Sequence, residues 1–166
     1  MKKLIFLLAA FAVTATAAAQ SVKVGVINFA RIEREAPAAV RGAAALKQEF
    51  EPRNQQISEL QKKIKAAQQR FEREKDKLGA AEAQSRGREI TDMMRQSDQM
   101  VARVAEEFEQ RKSELAGKLV DETRAAIKVV AEAGKFDLVL QDAVYAKPAI
   151  DITPLVLKEM QKRSGK

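Results

Sequence analysis

The sequence predicts a mainly α-helical fold: a long antiparallel coiled-coil hairpin projecting from a small β-sheet oligomerisation body. Three observations point there: two long runs with apolar residues at seven-residue spacing, a glycine-bounded break between them, and β-rich segments confined to the ends of the chain. In the first run, residues 40–78, Ala43, Phe50, Ile57, Ile64, Phe71 and Leu78 share one heptad position, and Leu46, Leu60 and Ala67 share a second. That pattern is a narrow coiled-coil seam. In the return run, residues 88–133, the answering stripe is Ile90, Met94, Val101, Val104, Phe108 and Leu115, continued by Leu119, Ile127 and Val130 after a four-residue step. Residues 79–87 start and end on glycine, a poor residue for a helix interior, and are expected to form the loop at the tip. At a rise of roughly 1.5 Å per residue each arm would be about 60 Å long.

Taken in order, residues 1–19 read as a secretory signal peptide, with Lys2 and Lys3 as the positive start, an apolar core over residues 4–13 and small residues at Ala17, Ala18 and Ala19. Cleavage is expected before Gln20. A core of about ten apolar residues is too short to span a membrane, which needs ~20. Residues 20–39 and 134–166 then form the base, with the arm between them. Residues 22–27 read as a strand in which Gly25 marks a close backbone approach, and Asn28 caps a short helix. Pro37 suits the first turn of the long helix, whereas Pro52 lies inside the heptad pattern and predicts a kink over residues 49–52. On the far side Gly134 is placed to end the return helix. Residues 136–141 read as a second strand, and residues 143–146 as a third joined through a turn at Gln141 and Asp142. Thr153 is expected to cap a final helix starting at Pro154.

So small a sheet is marginal alone and leaves its edges unpaired. The base is therefore expected to oligomerise, burying Val24, Val26, Ile27, Leu138, Val139 and Leu140 in a shared core. The chain contains no cysteine and no histidine, which removes disulfides, thiol and imidazole nucleophilic sites and the usual zinc sets. Its carboxylates are interleaved with Lys and Arg along helix faces, and Asp137, Asp142 and Asp151 are explained by edge, turn and cap positions. No enzyme, cofactor or metal is expected.

Charge is unevenly placed. Without Lys2 and Lys3 the chain carries 28 basic and 23 acidic residues, a net of +5. Residues 62–88 alone hold nine basic residues (Lys62, Lys63, Lys65, Arg70, Arg73, Lys75, Lys77, Arg86, Arg88) against four acidic ones, so the whole excess sits on the distal arm. Such a dipolar arm attracts polyanions, acidic protein or an anionic membrane surface. Nucleic acid is not expected, because no aromatic residue but Phe71 interleaves the lysines. Met93 and Met100, one position beside the stripe, form a second row; methionine recurs on surfaces that bind varied partners, though it also fills gaps in a hairpin core.

The layout resembles the Skp (OmpH) family of periplasmic chaperones. The likeness runs from residues 23–28 to the end and is most specific at residues 117–120 (Gly-Lys-Leu-Val), residues 136–140 (Phe-Asp-Leu-Val-Leu) and residues 151–153 (Asp-Ile-Thr), followed by Leu155, Val156 and Leu157. The resemblance implies a homotrimer with three arms around a cavity that holds unfolded outer-membrane β-barrel proteins without ATP. On that reading Lys62, Lys63, Lys65, Arg70, Arg73, Arg86, Arg88, Met93 and Met100 are the candidate client-binding residues. The family's proposed lipopolysaccharide-binding cluster is not carried over to any residue here, and an anionic membrane or lipopolysaccharide surface stands as a further partner. The reading from a different class is an exported coiled-coil tether whose basic tip docks to an anionic envelope surface.

Overall fold

A computed structural model describes residues 22–165; the signal peptide expected over residues 1–19 lies outside the described residues. The order of elements is β1 (Val24–Ile27), α1 (Phe29–Glu35), α2 (Pro37–Glu74), α3 (Ala80–Gly134), β2 (Leu138–Gln141) and α4 (Thr153–Ser164), with 3-10 turns at Lys75–Lys77 and Pro148–Ile150. The arm is α2 folded back on α3. At about 1.5 Å per residue, the 38 residues of α2 and 55 of α3 span roughly 57 and 83 Å. The surplus of α3 runs past the start of α2 into the base, where α4 packs against it.

Local chemistry sets the boundaries. Asn28 caps α1, its side chain accepting from Arg31 N at 2.8 Å, and Pro37 occupies the first turn of α2. The chain stays helical through Pro52. The tip differs from expectation. The turn is the 3-10 segment with Leu78 and Gly79; α3 starts at Ala80, so Gly87 lies inside a helix and residues 80–87 are not a loop. With alanines at residues 80, 81 and 83 around it, one glycine costs too little to break a helix held by the opposite arm.

The end of α3 also differs. Lys135, not Gly134, takes the left-handed conformation (φ 52°), with Phe136 N donating to Ala131 O at 2.9 Å. Gly134 is needed because the Phe136 ring lies against its Cα. The amine of Lys23 donates to Gly134 O at 2.6 Å and sits 4.6 Å from that ring's centroid, tying the N-terminal strand to the negative end of α3.

β1 and β2 pair in parallel, Val24 with Leu138 through Ile27 with Gln141, so the entire arm is the crossover between two adjacent strands. The third expected strand is absent. Asp142 adopts φ 50°, and its side chain accepts from Phe29 N at 2.9 Å, which turns residues 143–146 away. The other edge of β1 is taken instead by Asp151, bridged to Val26, with Ile152 N donating to Val26 O at 2.9 Å. Gly25 permits this approach, since a Cβ there would lie 2.8 Å from Ile152 Cδ1. Thr153 does not cap α4: it is the first residue of the helix, Ile152 holds the cap position without a side-chain bond, and the Asp151 carboxylate just ahead accepts from Thr153 N at 2.9 Å. The buried Thr153 hydroxyl accepts from Asn28 N at 2.9 Å. The core of the base gathers Ile27, Ile32, Ala36, Leu119, Ala126, Ile152, Val156 and Met160.

Candidate interaction surfaces on the arm and base

The register of the hairpin follows from three ion pairs that cross it: Arg53 with Glu107, Glu74 with Arg86, and Glu49 with Arg111. In each pair the two residue numbers add to the same total, so the arms run antiparallel without a slip. Phe50 and Phe108 meet edge to face at 5.2 Å between centroids. The α2 side of the seam is Leu46, Phe50, Arg53, Ile57, Leu60, Ile64, Ala67, Phe71, Glu74 and Leu78, all half-buried or buried; Ala43 stays exposed. Arg53 and Glu74 thus hold inward positions, closed by their partners on α3.

On α3 the inward residues are Ile90, Met93, Ser97, Met100, Val104, Glu107, Phe108, Arg111, Leu115 and Leu119. The expected stripe holds at Ile90, Val104, Phe108 and Leu115 and fails at two positions. Met93 and Met100 sit in the seam, whereas Met94 (44% exposed) and Val101 (42%) face outward. Ser97, which had no assigned role in the sequence, is buried in this row.

The predicted basic residues fall into two groups. Lys62, Lys63, Lys65, Arg73 and Arg88 are exposed and, among the described residues, make no ion pair. They lie on several faces of the arm, not one. Arg70 pairs with Glu74 at 3.2 Å, while the half-buried Arg86 joins Glu74 across the arms to Glu82 at 2.7 Å. Hydrogen bonding to Arg86, then to Arg70, holds the Glu74 carboxyl below the usual carboxylate range, and Glu74 and Glu82 raise Arg86 in turn. This cluster fastens the tip.

In the base, the expected shared core divides. Val26 and Ile27 are buried within the single chain, Val24 is half-buried, and Val139 packs against the core. Leu138 (48% exposed) and Leu140 (43%) face outward on the free side of β2. Val22, Leu155, Val144 and Tyr145 add exposed apolar surface that the sequence had given to strands or helix interiors. A groove of about 1120 Å³ runs beside it, lined by Val24, Phe136, Ile150 and Leu155 among others. Among the described residues no group of three or more acidic residues is placed to hold a metal ion, and no helix is long and apolar enough to cross a membrane.

Residues 23–160 match the family described as Outer membrane protein (OmpH-like). Over 156 residues the chain is 30% identical to Chaperone protein Skp of Yersinia enterocolitica, covering 90% of this chain and 93% of that one. A crystal structure of an OmpH-like protein from Caulobacter crescentus CB15 superposes with a TM-score of 0.78 at 16% identity, covering 86% of this chain and 85% of the other. At that identity the likeness speaks for the fold alone.

Proposed function

The chain belongs to the OmpH-like outer membrane protein family, and from that membership we propose that it is a periplasmic chaperone that holds unfolded outer-membrane β-barrel proteins without ATP. Its working form is a homotrimer, joined through the outward faces of Leu138 and Leu140, whose arms enclose a cavity. The observation that carries this reading is the arm itself. Over the 38 residues of α2 only Phe50 and Ile64 are buried, so the arm is a thin, compliant stalk with most of its surface available. Unpaired cations at Lys62, Lys63, Lys65, Arg73 and Arg88 support electrostatic capture, and many shallow contacts would supply retention. The leader at residues 1–19 supports the periplasmic location.

The test is the mass of residues 20–166 by light scattering, with and without one equivalent of a urea-diluted barrel protein. A trimer that gains one client and keeps it soluble is expected; a monomer, or a trimer beside precipitated client, overturns the reading. Capture should slow as salt rises, and a salt-independent association rate would remove its electrostatic part. The scatter of free cations around the distal arm also favours a second reading, a tether at an anionic surface. A tether binds anionic vesicles and leaves client aggregation unchanged.

A further inference from the structure

The two long flanks of the arm, where α2 and α3 meet on either side of the seam, differ in chemistry. On one flank the rows pair Asn54 with Phe108, Gln61 with Val101 and Gln68 with Met94, a register fixed by the cross-arm ion pairs and by Gln68 Nε2 lying 3.5 Å from Met94 Sδ. Across these three heptad levels neither row contains a charge. Asp98 lies one row further round α3, and Glu109, at the base-ward rim, is paired with Lys112 at 3.4 Å. A groove of about 390 Å³ opens here, floored by Phe50, Ile57, Val104 and Phe108 and walled by Val101. On the opposite flank Glu49, Lys63, Arg70, Glu89 and Arg103 place a charge at every level.

We infer that the uncharged flank centred on Met94 and Val101 receives the apolar, membrane-destined segments of the unfolded client, an assignment that rests on the chaperone reading above. Three features select this occupant. The groove has room for a few large side chains and not for a helix, which argues against a second arm as its occupant. The amides of Asn54, Gln61 and Gln68 can donate to and accept from the unpaired backbone of a chain that has not yet formed its sheet. The charged flank lies on the same arm, so a polypeptide whose apolar strands alternate with polar turns meets a complement to both within one arm's width. Contacts of this kind are weak singly and sum over several arms.

Because the chain has no cysteine, single cysteines carrying a photo-crosslinker can be placed on either flank: Gln61→Cys, Met94→Cys and Val101→Cys on one, Gln56→Cys and Gln96→Cys on the other. Each is mixed with a urea-diluted barrel protein and irradiated. The first three should give several-fold more client adduct, mapping to membrane strands. Equal labelling from both flanks, or arm-to-arm adducts in place of client, overturns the inference. Client held soluble but crosslinked only from the charged flank overturns it while leaving the chaperone reading intact; client that precipitates beside the unmodified protein overturns both. Met94→Gln with Val101→Gln should weaken client retention about tenfold at unchanged arm stability, since both side chains lie outside the seam; unchanged retention overturns the assignment.

Discussion

A Cβ on Gly134 would lie 2.7 Å from Phe136 Cδ2, so Gly134→Ala must push the ring off the last turn of α3. It should destabilise the protein by about 1–3 kcal/mol, read as a lower urea midpoint. Gly87 is the opposite case. It is helical with open space where a Cβ would go, and Gly87→Ala should stabilise by about 0.5–1 kcal/mol. If residues 80–87 were a loop, the same change would be neutral or harmful. Both glycines stand out in the sequence as breaks, but a glycine cannot announce whether it serves dihedral freedom, a neighbouring ring or neither. Asn28 and Pro37 were legible because their role is local: a side chain reaching three residues on, and a missing donor where none is needed. Thr153 was misread because its partner, Asn28, is remote in sequence.

Among the elements, the row Phe50, Ile57, Ile64, Phe71 is legible because it repeats without interruption. The companion row is only half legible, since Arg53 and Glu74 pass for surface residues until Glu107 and Arg86 are found opposite them. In α3 two heptad rows compete, and the more apolar one turns outward at Met94 and Val101, reaching the seam only at Phe108 against Phe50. Cross-arm ion pairs and the side chains of α2 choose the phase, and a single helix pattern cannot reveal that. The tip cluster carries its own prediction. Glu74 titrates below the ordinary carboxylate value because its charged form is held by Arg86 and Arg70. Its contribution is therefore fully present above that ordinary value and is lost as pH falls through the lowered one. Amide exchange at residues 71–90 should accelerate in that acid range, and Glu74→Gln should remove the pH dependence.

For the whole molecule, Leu138 and Leu140 are exposed in the single chain. Leu138→Asp with Leu140→Asp should accordingly lower the mass seen by light scattering while helix content by circular dichroism stays the same. Loss of helix along with mass would mean that these side chains serve the protomer's own core. Long helices beside a small sheet were legible in the sequence, because strands and heptads differ in period. It did not show that β1 would be the central strand, since the edge taken by Asp151 is set by a backbone contact with no side-chain signature.

The parallel pairing of β1 with β2 also orders events in time. Lys23 and Asp137 are hydrogen-bonded at 2.7 Å across 114 positions of chain, so no part of the sheet can form until both helices of the arm have been made. Local helical contacts form quickly and such distant pairings slowly. The arm should therefore zip first and deliver β2 to a waiting β1. A chain released before residue 138 would carry a stalk without a sheet at its root, which makes a complete base a checkpoint on full-length synthesis.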